Sequence, residues 1–194
     1  ETLLAATPKH DWQTMRAVQA DQLSLSTRKL LPVLQATKSD HPQAAAALAL
    51  FKDFDGTMSA DKGAPLVFAV WADELTRALV GGKLGEGKLK SLYGKRTFRS
   101  GVERMLLDQD VGAYWCAPLS CEEQSAQALD RALDRIVLQQ GADVASWRWG
   151  AVHPALSGHR PFTNVALLSR FFDVQVESGG DPWTVNVGQY WSNM

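Results

Sequence analysis

Cysteine is nearly missing from this chain. Two among 194 residues, Cys116 and Cys121, could hold a metal only with help from His or carboxylates, and no CxxC or HxxxH pattern accompanies them. Long apolar runs are missing too. The longest, Pro65 to Val70 with Trp71, is broken at Asp73 and Glu74. It falls short of the roughly eighteen residues needed to cross a bilayer, so no membrane partner is expected. No charge sign dominates: 20 Lys and Arg stand against 21 Asp and Glu, a net charge of -1. A nucleic-acid binder would show a basic stripe, and none is visible, so no nucleic acid is expected. The chain opens Glu1-Thr2-Leu3-Leu4 with neither an initiator Met nor a signal peptide. A trimmed chain and one beginning inside a longer precursor are both compatible with that start.

Signatures of a self-contained catalytic site are missing as well. None of Ser24, Ser26, Ser100, Ser120, Ser146, Ser157, Ser169 or Ser178 sits in a Gly-x-Ser-x-Gly elbow. His153 and His159, around Pro154 and Gly158, do not have a zinc spacing on one helix face. Asp53-Phe54-Asp55-Gly56 resembles the start of a calcium loop but lacks the later bidentate acid, and reads as a helix end and turn. The carboxylate pairs Asp53 with Asp55 and Asp108 with Asp110 read as solvated surface groups. Gly81 to Lys88 lacks the spacing of a phosphate loop and reads as a solvated connector. No catalytic residue, no metal and no cofactor is expected from this chain's own residues.

What is present is a globular chain, 45% hydrophobic and 21% charged. Folding at this size buries roughly 70% of the unfolded chain's surface, enough for one or two domains without staples. Helical signals fill the first two-thirds. Thr7-Pro8 is a helix start, followed by Trp12, Met15 and Val18 at helical spacing. The set Leu30, Leu31, Val33 and Leu34 surrounds Pro32, which predicts a stop near Leu31 and a restart. His41-Pro42 opens a helix with Ala45, Leu48 and Phe51 on one face, closed at Asp55-Gly56. Pro65 opens another, with Val67, Val70, Trp71 and Leu75 on one stripe. Cys121 to Gln140 is the clearest helix, its stripe formed by Ala126, Leu129, Leu133, Ile136 and Val137, with Glu122-Glu123 at its start and Gly141 at its end.

After residue 145 the period changes to that of strands. Trp147, Trp149 and Ala151 alternate with polar or small residues, as do Phe172, Val174 and Val176; Thr184-Val185-Asn186-Val187 is a third candidate. The expected class is α+β, one region over 1–194 that is mainly helical over 1–145 and strand-rich over 146–194. Two or three short strands make a marginal sheet, and the chain stops at Met194 just after Tyr190-Trp191. A turn at Pro118 would allow a local disulfide between Cys116 and Cys121, and two unrelated buried thiols are the alternative.

Several segments in order resemble the penicillin amidase family: Trp147-Arg148-Trp149-Gly150-Ala151-Val152-His153, then Leu167-Leu168 and Phe171-Phe172, then Gly179-Gly180-Asp181-Pro182-Trp183-Thr184-Val185-Asn186. Gln19-Ala20-Asp21, Leu31-Pro32-Val33-Leu34 and Phe54-Asp55-Gly56 agree with earlier parts of the family pattern, and the cysteine pair resembles that of its acyl-homoserine-lactone branch. The resemblance implies an N-terminal-nucleophile hydrolase of αββα architecture, whose long subunit begins with a catalytic Ser activated by its own α-amino group. The match falls in the middle to later part of that subunit. Glu1 cannot replace the Ser, and no catalytic residue is carried over. Asn186 matches a strand Asn rather than the oxyanion one. His153 reads as a partly buried His bonded to backbone, and Trp147 and Trp149 as core.

The resemblance thus implies a piece of an acylase that cleaves linear amides such as penicillins or N-acyl-homoserine lactones, inactive alone. Its implied partners are the short subunit, the rest of the long subunit and a small-molecule amide substrate. Its implied location is periplasmic or secreted. The alternative is a stand-alone helical binding or assembly domain, which an exposed apolar face on the Cys121 to Gln140 helix would favour.

Overall fold

The computed structural model describes residues 2–93 and 98–188; Glu1, Tyr190-Trp191 and Met194 lie outside the described residues. In chain order the elements are α1 (Thr2–Ala5), α2 (Trp12–Gln19), α3 (Leu25–Gln35), α4 (Ala44–Ala49), α5 (Gly63–Thr76), a π-helix (Arg77–Gly81), α6 (Gly82–Leu84), α7 (Glu86–Tyr93), α8 (Phe98–Leu107), α9 (Gln109–Cys116) and α10 (Cys121–Gln140). A 3-10 turn (Val144–Ser146), β1 (Pro154–Ser157), a second 3-10 turn (Phe162–Asn164), α11 (Ala166–Phe172) and β2 (Val174–Glu177) complete them. The class is α+β. The described residues contain one two-stranded antiparallel sheet, with Pro154 opposite Glu177 and Ser157 opposite Val174. The chain divides into two compact units: a first built from 1–25, 57–62 and 148–194, and a second from 26–56 and 63–147.

The second unit is helical, and its core is α5 against α10. Ala64, Leu66, Val67, Phe68, Val70, Trp71 and Leu75 bury α5 nearly all round, which marks a central helix. From α10, Ala128, Leu129, Ala132, Leu133 and Ile136 are fully buried. The small Ala128 and Ala132, four apart, let a neighbouring helix approach closely. Ser120 and Glu123 form a capping box at its start, and Gly141 at φ 83° ends it. Trp71 donates its indole N–H to the Ser125 hydroxyl at 3.2 Å, and Thr37 shares a 2.6 Å bond with the same hydroxyl. A disulfide joins Cys116 and Cys121, with Cα atoms 5.0 Å apart, across the turn between α9 and α10.

Three readings are corrected in this unit. α3 runs through Pro32 without a stop. A proline inside a helix costs about 3 kcal/mol. Burying Leu30, Leu31 and Leu34 contributes about 1.5–3 kcal/mol each, which outweighs it. Gly81 to Lys88 is not a connector: the π-helix, α6 and α7 pass through it, interrupted at Gly85. Each glycine costs about 1 kcal/mol in a helix, and burial of Leu79, Val80 and Leu89 offsets this. The helix expected after His41-Pro42 is shorter, Ala44–Ala49, and buries Ala44 and Ala47 rather than Ala45 and Leu48.

In the first unit, α2 starts at Trp12 rather than at Thr7-Pro8. Asp11 accepts the Thr14 N–H at 2.9 Å and Thr14 returns a bond to the Asp11 backbone, two partners that Thr7 has no counterpart for. The strands expected over Trp147 to Ala151 and Thr184 to Val187 are not formed. Trp149 and Gly150 donate their N–H groups to the carbonyls of Lys62 and Ala60, and Val152 and His153 fold back onto the Trp149 carbonyl. Thr184 closes a turn on Asp181 instead of joining a ladder.

Candidate functional site

The motif residues of the first unit converge on a buried cluster. The backbone of Trp149 and Gly150 lies along residues 60–62, bonded at 2.9 and 2.8 Å. Gly150 must lack a side chain there, because a Cβ would sit 2.9 Å from both Ala60 Cβ and Glu177 Cβ. The turn at Val152 then lays the His153 ring flat on the Trp149 indole, centroids 4.4 Å apart and planes 15° from parallel. Both rings reach one strip of backbone: Trp149 Nε1–H donates to the Gly180 carbonyl at 2.8 Å, and His153 Nδ1 lies 3.2 Å from the Ser178 carbonyl. A carbonyl can only accept, so Nδ1 carries the proton.

That strip is the Gly179-Gly180-Asp181 turn. Gly180 takes φ 84° and donates to the Met58 carbonyl at 2.7 Å; a Cβ on Gly179 would meet Gln22 Oε1 at 2.5 Å. Asp181 accepts the Trp183 N–H at 2.7 Å, and the Thr184 hydroxyl lies 2.8 Å from the Asp181 carbonyl. Asn186 donates its N–H to the Asp21 carbonyl at 2.8 Å, and its side-chain oxygen accepts from Gly188 at 3.1 Å. The side chains named by motif are thus joined by structural bonds. Ser178 offers the imidazole its backbone carbonyl.

His153 is buried, and burial is the largest influence on it, holding its pKa below the ordinary 6.5. The bond to Ser178 and the charge of Asp181 act in the opposite sense and are outweighed. The unfolded chain therefore binds this proton more readily than the folded one. The stabilising effect of neutral His153 is complete above pH 6.5 and falls as pH drops below it, by up to about 1.4 kcal/mol per pH unit. Urea unfolding at pH 7.5 and 5.5 reads this directly. The wild type should lose more stability on acidification than His153→Gln; equal losses would show that His153 is not the titrating group.

The other residues raised by sequence lie elsewhere. Trp147 is buried in the second unit and donates its indole N–H to the Gly141 carbonyl at 2.9 Å. His159 stacks on Phe162 at 5.1 Å, and its N–H goes to Asp173 at 2.8 Å. Asp108 caps α9 through the Val111 N–H, and Gly56 takes φ 97° as a turn residue. Among the described residues no group of three or more His, Cys, Asp or Glu is placed to hold a metal, and no helix is long and apolar enough to cross a membrane.

Sequence reasoning missed the largest ionic cluster, in the second unit. Buried Asp73 on α5 accepts from Arg135 at 2.6 Å, from Arg77 at 3.1 Å and from the Tyr93 hydroxyl. Glu74 pairs with Arg135 at 3.2 Å and Arg131 at 3.4 Å. Burial lowers the Arg135 pKa, but the Asp73 and Glu74 carboxylates more than compensate and hold it above its usual value. The available signal was two acids inside an apolar helix and Arg131 and Arg135 four apart on α10.

Comparison with known proteins gives a consistent picture. A family model described as penicillin amidase matches residues 1–193. The acyl-homoserine lactone acylase QuiP of Pseudomonas putida is 24% identical, over 77% of this chain and 21% of its own length. A thermostable penicillin G acylase from Alcaligenes faecalis has a similar fold, with a TM-score of 0.54 and 19% identity, covering 75% of this chain and 32% of that one. The chain spans about a fifth of that curated relative and about a third of that solved structure.

Proposed function

Because the chain belongs to the penicillin amidase family, we propose that it is one region, 1–194, of the long subunit of an acylase that hydrolyses linear amides. The observation that carries the reading is the family match from residue 1 to residue 193. The substrate class is an acyl chain joined through an amide to an amine-bearing ring, a penicillin nucleus or a homoserine lactone. The lactone is favoured by the relative named for it and by the disulfide between Cys116 and Cys121.

In such an enzyme an N-terminal Ser hydroxyl attacks the acyl carbon while its own α-amino group takes the proton, and the amine leaves. Water then releases the acid from the acyl-enzyme, with hydrogen-bond donors holding the oxyanion. In our reading that Ser lies outside residues 1–194, and this region serves as scaffold. Polar side chains of its core are committed to structural bonds, which supports the assignment. Ser26 donates to Glu103 at 2.5 Å, Ser39 to Asp130 at 2.5 Å, and Ser125 is held between Thr37 and Trp71. Most of the apolar stripe of α10, Leu129, Leu133 and Ile136 with Ala128 and Ala132 beside them, is buried, and α10 packs on α5, which favours a scaffold over an assembly domain. A disulfide suits an oxidising compartment, the periplasm or the exterior.

The test pairs two measurements. The purified 194-residue chain should release no amine from penicillin G or from N-acyl-homoserine lactones. The protein from its natural source should hydrolyse one of them and contain these residues within a long subunit that begins with Ser. Turnover by the pure chain refutes the scaffold assignment; a natural protein without acylase activity refutes the functional one.

A further inference from the structure

The ribbon of β1 and β2 presents an open edge and unusual apolar exposure. All four residues of β2 are exposed, and among the described residues β2 pairs with β1 alone. Leu156, Leu167, Phe171, Phe172, Val174 and Val176 are each between 46% and 75% exposed. Antiparallel partners share a face, so Val174 and Val176 lie beside Ser157 and Ala155 on one side of the ribbon. Open apolar edges invite pairing, and proteins blunt them with proline, lysine or bulges. β1 carries Pro154, which lacks an N–H. β2 carries neither proline nor lysine, only Glu177 at its end.

The surface is also held in place. The Asp173 carboxylate accepts the His159 N–H and the Thr163 hydroxyl, both at 2.8 Å, pinning the connection between the strands. Phe162 packs on His159 and on Phe172, at 5.1 and 4.8 Å. Arg148 clamps the far end through Glu177 at 2.9 Å. An edge prearranged in this way binds a strand without first having to order itself.

We propose that the outer edge of β2 receives a β-strand with alternating apolar residues from another segment of the same acylase. The inference rests on the reading of this chain as part of a larger acylase. The solved acylase of the same fold is matched over only 32% of its chain, so that fold carries more than enough further polypeptide to cover β2. Backbone bonds along β2 give affinity, and the exposed side chains of Val174 and Val176, on one side of the ribbon, set register.

Hydrogen–deuterium exchange tests this in the acylase from its natural source beside the isolated chain. Those amides of 174–177 that point away from β1 should exchange about a hundredfold more slowly in the enzyme. Val176→Lys should remove that protection in the enzyme while leaving the circular dichroism of the isolated chain unchanged. Equal exchange in both samples, with a longer polypeptide confirmed by intact mass, overturns the proposal and spares the functional reading. A natural protein with no chain beyond these residues overturns the functional reading and the proposal with it. Doubling of mass in the isolated chain, with those amides protected, makes a second copy the occupant and likewise overturns it.

Discussion

Asp73→Ala should destabilise the helical unit by about 3 kcal/mol. Removing one partner of a buried ion pair costs about 3–5 kcal/mol, because the charge left behind keeps its desolvation and loses its compensation. The lower end applies here. Arg135 and Arg77 keep side-chain exposures of 29% and 39%, so water can take over part of their solvation. The Asp73 carboxylate itself is 2% exposed, and the Tyr93 hydroxyl also loses its acceptor. Asp73→Asn separates charge from shape: it keeps the volume and one acceptor, so it should cost less than the alanine. Urea midpoints of the two variants decide the matter. A loss under about 1 kcal/mol for the alanine would place this cluster with ordinary surface pairs.

Trp149→Ala should cost the first unit about 3–5 kcal/mol, the range for truncating a large buried aromatic. The indole is fully buried, stacks on His153 and donates to the Gly180 carbonyl. It therefore joins the Trp-x-Trp-Gly segment to the Gly-Gly-Asp turn. Trp149→Phe keeps a ring for the stack and loses only the N–H and some volume, so it should retain more than half of the stability lost by the alanine. Denaturation followed by near-ultraviolet circular dichroism measures both. Equal losses in the two variants would mean that the hydrogen bond, not the ring, carries the effect.

Local signals made parts of this fold readable. α10 has its bounds in the chain itself: Ser120 with Glu123 closes the capping box, the stripe recurs through Ile136, and Gly141 takes a conformation that stops a helix. The family motifs were readable for a similar reason, since Gly150, Gly179 and Gly180 stand where a side chain has no room. His153 was read as bonded to backbone, and the Ser178 carbonyl is that partner.

What failed was whatever depends on distant partners. Pro32 signals a break, yet three buried leucines hold α3 together. The alternation at Trp147 to Ala151 matched a strand, but a strand needs a neighbour, and the local N–H groups go to Ala60, Lys62 and Trp149 instead. Asp73 finds Arg135 sixty-two positions away, which no short-range pattern reveals.

The discontinuous build of the first unit bears on how the chain comes off the ribosome. Its three segments are separated by 26–56 and 63–147, whereas every residue of the helical unit has been synthesised once Trp147 is reached. Helical, locally connected units close quickly, and long-range pairing is slow. Residues 1–25 must wait until the Gly-Gly-Asp turn and the segment after it emerge to complete the Asp21, Gln22 and Met58 contacts. Synthesis thus imposes an order of assembly in which residues 1–25 are made before the helical unit yet find their partners after it, and nascent chains stalled before residue 179 are the ones most in need of a chaperone.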